Sequence, residues 1–363
     1  MAVYEQKLQQ DLNSMRGEII KLGEMVSRAL SDSLQALFQG EYTLAQWTVL
    51  RDFPINRQCL RLNKQCHFFI ARHLPSAGHL RLVTSVMQMI IELERVGDYA
   101  RTIARETIHL QTIPTGSIQR HLQEMAHHTQ DILYKSMEAF AKEDVALARS
   151  TLTNSKQVTL DLNRFYEELI STESAENGRD KAIQLLDMQS IAYMLERVSN
   201  RAANICEAVL FILAGETVPV RLHEIAFLES GEGSLALLAE LLARKGYGEV
   251  ARFRSAALQP AATLHPAVQQ FMEQRGLTLP QQQVQSLAQL LPALHDIHIL
   301  VTLNNPISHY GLTIPFHTTV LQWQVGSVSD LEQANASSVE AIQQALVVQM
   351  AELMTLLVGE EGV

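Results

Sequence analysis

Residues 1 to about 215 carry the hydrophobic periodicity of long amphipathic helices. Apolar residues recur every three or four positions in two stretches, which is the spacing of a buried helical stripe. The first stripe is Leu82, Val86, Met89, Leu93, Val96, Ala100 and Ile103, and the second is Met188, Ile191, Leu195, Val198, Ala202, Ile205 and Val209. Prolines are rare here, so the pattern predicts six helices arranged as two sets of three.

The two stripes are also alike in sequence. The segment Leu93-Glu94-Arg95-Val96 reappears as Leu195-Glu196-Arg197-Val198, at an offset of 102 residues. An internal repeat at a fixed offset indicates a duplicated structural unit. We therefore predict two three-helix domains, over residues 1–112 and 113–217.

The pattern changes after a linker at 215–219, where short apolar runs alternate with helical segments. The predicted strands are 224–228, 250–257, 297–303 and 319–325, and the predicted helices are 234–245, 265–275 and 339–358. This alternation is typical of a parallel sheet with helices on both faces. The predicted fold class is a pair of all-α three-helix bundles followed by an α/β parallel-sheet domain over residues 221–363.

The net negative charge of the chain limits its possible partners. The chain has 363 residues and a net charge of −10. Before Pro219 there are 23 Lys and Arg against 26 Asp and Glu, and after it 6 against 13, so the second part is the more acidic. Such a surface repels DNA and anionic lipid, and we expect neither as a partner.

The cysteines and the N-terminus indicate a cytoplasmic protein. Cys59, Cys66 and Cys206 are too few and too scattered for a disulfide scaffold or a zinc site, so we expect them to pack between helices. The first residues, MAVYEQKLQQDL, lack the features of a signal peptide. No apolar run is expected to reach the length that crosses a bilayer, and we predict no membrane insertion.

The segment from Ile91 to Ala100, IELERVGDYA, resembles the signature of the PhoU family, in which a Glu-x-x-x-Asp pair lies on one helix of each three-helix repeat. The segment 195–205 resembles a second copy. Residues 52–56, DFPIN, are similar to the family's Asp-x-x-(Val/Ile)-Asn segment on a preceding helix. The resemblance covers residues 1–217. It implies a cytoplasmic, homodimeric regulator of phosphate import, with the ATPase of a phosphate ABC transporter and a phosphate-sensing histidine kinase as partners.

Some members of that family carry metal clusters on the Glu-x-x-x-Asp face. Glu94 and Asp98 are four residues apart, so they share a face, and it lies outside the buried stripe. A cation would offset their repulsion, and Asp52 is a candidate further ligand for Fe, Zn or Mg. The alternative is a solvated face on which Asp98 pairs with Arg101. In the second repeat Asn200 accompanies Glu196, and the lost charge weakens any site there.

The histidines at 67, 73, 127 and 128 have no carboxylate partner at ligand spacing. We therefore expect them to be surface or interhelical residues rather than metal ligands.

Residues 224–330 resemble the low-molecular-weight tyrosine phosphatase and arsenate reductase family. The resemblance is carried by 253–260 (FRSAALQP), 264–268 (LHPAV), 273–276 (EQRG), 296–303 and Trp323. It implies a parallel α/β fold whose first strand ends in a phosphate-binding turn. In the family that turn reads Cys-x5-Arg, and a general acid within an Asp-Pro pair follows the Trp.

The residues that would carry catalysis are missing. The matching turn is Glu229, Ser230, Gly231, Glu232, Gly233, Ser234 and Leu235. Glu229 replaces the nucleophilic cysteine and Leu235 the arginine, no cysteine follows Cys206, and no Asp-Pro follows Trp323. Without a thiolate the reaction has no covalent intermediate. Without the arginine no bidentate cation binds the oxyanion. We expect a non-enzyme whose turn N–H groups are capped internally, with Ser234 as the helix N-cap.

Three functions fit these residues. The first is a regulator that acts through protein contacts. The second is a metal-binding protein whose carboxylate-bound cluster is itself the function, and the third is an arsenate- or phosphate-related fusion with residual ligand binding.

Overall fold

The computed structural model describes residues 2–110, 113–171, 179–217, 222–277, 284–315, 317–326 and 337–359. The chain forms two compact units, Met1–Pro219 (unit 1) and Val220–Val363 (unit 2). The predicted boundary between residues 112 and 113, and that between 217 and 221, adjoin positions outside the described residues.

Unit 1 is entirely helical in its described part. Its helices are α1 (Ala2–Gln39), α2 (Tyr42–His73), α3 (Ala77–His109), α4 (Gly116–Lys142), α5 (Val145–Asn154), α6 (Lys156–Ser171) and α7 (Arg179–Ala214). Every residue of the two predicted stripes is buried in one continuous core. The periodicity of α3 and α7 therefore identified the two central helices of the unit correctly.

The described part of unit 1 has seven helices rather than the predicted six. The middle helix of the second repeat is divided at Ser155 into α5 and α6, whereas its counterpart α2 is continuous. The Ser155 carbonyl accepts a hydrogen bond from the hydroxyl of Ser199 on α7 at 3.3 Å. This contact between distant segments gives no signal in local periodicity, which is why the interruption was not predicted.

The repeats meet through α3 and α7, which begin 102 residues apart, at Ala77 and Arg179. Arg201 of α7 lies 3.2 Å from Glu92 of α3, and the Ser190 hydroxyl lies 3.3 Å from Glu106. Since the later residue of α7 pairs with the earlier residue of α3, the two helices run antiparallel. Duplicated helices packed in this way are related by an approximate two-fold axis.

Unit 2 contains a four-stranded, all-parallel sheet, as predicted. Its strands are β1 (His223–Glu229), β2 (Ala251–Ala257), β3 (Ile299–Leu303) and β4 (Thr319–Trp323), in the order β2-β1-β3-β4. The apolar, mostly buried strands are typical of a parallel sheet that is covered on both faces.

Alternate residues of the central strands enter different cores. Phe227 and Val301 pack with α8 (Ser234–Tyr247), α9 (Pro266–Gln274) and α11 (Ser337–Val358). Leu228 and Leu300 pack on the other face, with α10 (Leu287–Leu290) and the 3-10 turns Leu291–Asp296 and Ile307–Tyr310. The turn that follows β1 therefore lies at the carboxyl edge of a central strand, where such folds place their ligands.

One helix corrects the prediction that no apolar run reaches bilayer length. Among the described helices, α11 is long and apolar enough over Val339–Val358 to cross a membrane by length and composition. One face of this helix, including Ile342, Leu346 and Met350, is buried in the core of unit 2. Of that window 28% is buried, so α11 contributes one face to the core and leaves the rest of its apolar surface exposed.

Candidate functional site

The Glu-x-x-x-Asp pair of the first repeat lies beside α2. Asp52 of α2 is buried, and its Oδ2 accepts hydrogen bonds from Arg101 Nη1 at 2.5 Å and Asn56 Nδ2 at 2.9 Å. Arg101 Nη2 lies 2.9 Å from Asp98 Oδ1. The guanidinium group of Arg101 therefore bridges Asp52 and Asp98, from two different helices.

Helix spacing and a glycine together create this bridge. Arg101 follows Asp98 by three residues, so both side chains leave α3 on one face. Gly97 lies opposite α2, and a Cβ added there would come within 3.3 Å of Ile55 Cγ2. Because Gly97 has no side chain, α2 can approach α3 closely enough for Asp52 to reach Arg101.

Three carboxylates lie near one another at this contact, and two of them, Asp52 and Asp98, bind Arg101. We call Asp52, Glu94 and Asp98 the carboxylate cluster. The pKa of Cys59 is raised to about 12, first by burial and then by the charge of Glu94, which places Glu94 near that thiol. Asp52 Oδ1 is buried without a hydrogen-bond partner. The cluster is thus more negative than Arg101 alone can neutralise.

As they are placed, these residues do not fit a resident Fe, Zn or Mg ion. The guanidinium of Arg101 fills the space between Asp52 and Asp98 that a shared cation would need. Across the described part of the chain, no group of three or more His, Cys, Asp or Glu side chains has a metal-binding arrangement. The pairing of Asp98 with Arg101, which the sequence offered as the alternative, is present.

The second repeat has a different arrangement at the matching positions. Asn200 Nδ2 donates a hydrogen bond to Glu196 Oε1 at 2.7 Å, so the amide stands where Asp98 stands in the first repeat. The position that matches Arg101 is Ala203. Arg197 lies over the ring of Tyr193, 4.6 Å from its centroid. Glu196 therefore has polar partners, and among the described residues no group of carboxylates forms a metal site with it.

Comparison with known proteins identifies unit 1. The PhoU domain profile matches residues 19–107 and 122–209, which confirms the predicted duplication. A phosphate-specific transport system accessory protein PhoU homolog from Pseudomonas aeruginosa is 30% identical over 216 residues, covering 59% of this chain and 88% of that protein. The chain belongs to the PhoU family.

Solved structures agree with this assignment for unit 1. The crystal structure of PhoU from Pseudomonas aeruginosa matches with 28% identity and a TM-score of 0.54, covering 57% of this chain and 99% of that one. A thioredoxin-dependent arsenate reductase of Corynebacterium glutamicum matches with 15% identity and a TM-score of 0.30, covering 66% and 94% of the two chains. That similarity is too low to place unit 2 in a family.

Two histidines of the PhoU part lie between helices, as expected, and each has a carboxylate partner that the sequence did not indicate. His73 Nε2 lies 2.8 Å from Asp11 Oδ2 on α1, and His128 Nδ1 lies 2.7 Å from Asp161 Oδ2 on α6. The sequence argument considered only carboxylates close along the chain, whereas both partners come from other helices. Each pair joins two helices and provides no metal site.

The turn after β1 of unit 2 is closed by its own carboxylate. Glu229 is buried, and its Oε2 accepts hydrogen bonds from the backbone N–H groups of Leu235 at 2.8 Å and Ala236 at 3.0 Å. These are first-turn N–H groups of α8, which have no partner within the helix. A side chain on the strand therefore caps the helix that follows.

This arrangement corrects the predicted role of Ser234. The residue before the helix is Gly233, at φ 91°, and no side chain at that position caps α8. The Ser234 hydroxyl instead accepts a hydrogen bond from His265 N at 2.9 Å. The expectation that the N–H groups are satisfied internally holds, with Glu229 in place of Ser234.

Glycine is required at position 233. Its positive φ disfavours other residues, and an added Cβ would lie 2.1 Å from Val284 Cγ1 and 2.9 Å from Ala257 Cβ. The turn is therefore held tightly against its neighbours, which fixes the path of the chain between Glu229 and α8.

The remaining positions of the turn offer no reactive group. Ser230 Oγ accepts a hydrogen bond from Asn305 Nδ2 at 2.6 Å, Leu235 is buried, and Glu232 is exposed. Burial raises the pKa of Glu229, and the N–H donors oppose that rise. The turn thus holds a buried carboxyl group of its own where the resemblance would place a bound oxyanion.

Proposed function

We propose that the chain is a cytoplasmic regulator of phosphate uptake that acts through protein contacts. The proposed partners are the ATPase of a phosphate ABC transporter and a phosphate-sensing histidine kinase. The observation that carries this proposal is the match of unit 1 to nearly the whole of a phosphate-specific transport accessory protein. The guanidinium of Arg101, which occupies the space between Asp52 and Asp98, supports a protein-contact role rather than a metal-dependent one.

A direct binding measurement tests the proposal. Immobilised full-length chain is expected to retain the purified transporter ATPase from the same organism, and to release it at high salt if charged residues contribute. An unrelated ABC ATPase of the same size is the control. The proposal fails if the sensor kinase is not retained and, in addition, the two ATPases are retained equally or not at all. Size-exclusion chromatography at several concentrations checks the predicted homodimer.

For unit 2 we propose binding without catalysis. The full-length chain is expected to show only background turnover of an aryl phosphate and only background reduction of arsenate, because Glu229 and Leu235 replace the nucleophile and the clamp. Glu229→Cys alone should not restore activity, because the effects of catalytic groups that act as a unit are not additive. Turnover that disappears in Glu229→Gln would contradict this proposal and indicate carboxylate chemistry.

A further inference from the structure

The outer face of α2 carries a row of large exposed apolar side chains. Each is between 53% and 70% exposed: Trp47, Leu50, Phe53, Leu60 and Phe68. The opposite face of α2 is buried, including Ile55, Cys59 and Leu62. At 1.5 Å per residue the row is about 30 Å long. Single exposed apolar residues are ordinary, but five large ones along one helix face are typical of an interaction surface.

The same face is positively charged. Arg57, Arg61 and Lys64 lie among the apolar residues and are exposed. In the described part of the chain neither Arg57 nor Lys64 forms an ion pair, and Arg61 acts on Glu18 only through space. The one acidic residue of α2 is Asp52, which is buried and bound by Arg101. We call the five apolar and three basic residues the α2 face.

Charge complementarity decides what fits this face. An apolar surface rimmed by carboxylates would cover the apolar row and neutralise its three cations. A second copy of α2, packed about a two-fold axis near the middle of the row, would instead bring the cations of both copies together, because Arg57 and Arg61 lie within about one turn of that axis. An anionic bilayer would have to overcome the net charge of −10.

We propose that the α2 face is the docking site for a partner protein that presents an apolar helix or groove with acidic edges. This inference rests on the proposed function, because it names the face by which a phosphate-uptake regulator would hold its partner.

The first test uses a matched pair of variants against the transporter ATPase. Leu60 on α2 is 64% exposed and Leu186 on α7 is 62% exposed. A charge at position 60 opposes apolar docking, so Leu60→Glu is expected to weaken ATPase binding by about tenfold or more. Leu186→Glu is expected to bind like the wild type. Arg57→Glu should also weaken binding and reduce its salt dependence. Equal binding by Leu60→Glu and Leu186→Glu would overturn the proposed face while the proposed function stands.

A second test does not depend on the identity of the partner. The chain has two tryptophans, and Trp323→Phe leaves Trp47 as the reporter on the α2 face. A synthetic amphipathic helix with a Leu stripe flanked by Glu is expected to shift Trp47 emission to the blue and to protect it from acrylamide. The same peptide with Lys in place of Glu should do neither. If both peptides bind equally or neither binds, charge complementarity fails and the proposal with it.

Two further outcomes would also overturn it. Partition onto phosphatidylserine vesicles that is lost in Leu60→Glu would assign the face to lipid. A concentration-dependent dimer that Leu60→Glu dissociates would assign it to a second copy of the chain. If the ATPase does not bind the wild type but the acidic peptide does, the α2 face stands and the proposed partner is wrong.

Discussion

Replacing Glu229 with alanine is expected to lower the free energy of unfolding of unit 2 by about 3 kcal/mol. The substitution leaves the buried N–H groups of Leu235 and Ala236 without acceptors, and each such group costs about 1 to 3 kcal/mol when unsatisfied. The variant no longer has to bury a carboxyl group, which offsets part of this loss. Urea unfolding followed by Trp323, which is buried in unit 2, in a Trp47→Phe background reports the midpoint for this unit.

Glu232→Ala is the matched control for this experiment. It removes a carboxylate from the same turn, but Glu232 is exposed, so a change within about 0.5 kcal/mol is expected. Equal midpoints for Glu229→Ala and the wild type would show that the carboxylate is not the cap that α8 needs.

The pH dependence of Glu229→Gln tests the same contact independently. Burial holds the pKa of Glu229 above its ordinary value in the folded chain. Its stabilising contribution is therefore complete below the pKa of an unfolded glutamate and is lost as pH rises through the folded pKa. The glutamine variant does not titrate at this position. Its stability relative to the wild type is expected to improve from pH 4 towards neutral pH, and a constant difference would contradict the assignment.

Replacing Arg101 with methionine is expected to destabilise unit 1 by about 2 kcal/mol. Removing one partner of a buried ion pair costs about 3 to 5 kcal/mol, and the partial exposure of Arg101 reduces that figure. Asp52 would retain only the amide of Asn56, in a cluster that already holds three carboxylates. Urea unfolding followed by helical circular dichroism gives the measurement. Arg95→Met, an exposed arginine on the same helix, is the control and should change little.

A second variant at this position, Arg101→Ala, tests why the carboxylate cluster does not fit a metal ion. With the guanidinium removed, Asp52 and Asp98 become available to an external cation, and a small residue at position 101 leaves room for it. We expect Mn²⁺ or Zn²⁺ to raise the unfolding midpoint of Arg101→Ala and to leave that of the wild type unchanged. Stoichiometric metal in the purified wild type that is lost in Asp98→Ala would contradict this explanation, because the cluster would then hold a metal ion with Arg101 in place.

Periodicity was sufficient for the two central helices and the strands, and insufficient for the break at Ser155 and for side-chain partners. The stripe from Leu82 to Ile103 is buried throughout because one face of a helix in a bundle has to be apolar along its whole length. Glu229, in contrast, was identified as the residue in the nucleophile's place, but its contact with α8 depends on a tight turn at Gly233 that no pattern of apolar residues encodes.

Contacts between distant segments account for the other differences. Asp98 and Arg101 are one helical turn apart, so their pairing was predictable from spacing. Asp52 reaches Arg101 only because Gly97 lets two helices approach, and His73 meets Asp11 across a helix interface. A single sequence contains those residues but does not state which pairs meet. The Asp-x-x-(Val/Ile)-Asn segment was the available signal for Asp52.

The three cysteines have a practical consequence. All are buried, and burial raises the pKa of Cys59 to about 12, of Cys66 to about 11 and of Cys206 to about 12. At neutral pH their thiols stay protonated and shielded, so maleimides and disulfide reagents should leave the native chain unlabelled. A single cysteine introduced at an exposed position such as Leu186 would then be the sole site of attachment. Dyes or crosslinkers could therefore be attached at that position without first replacing the three native cysteines.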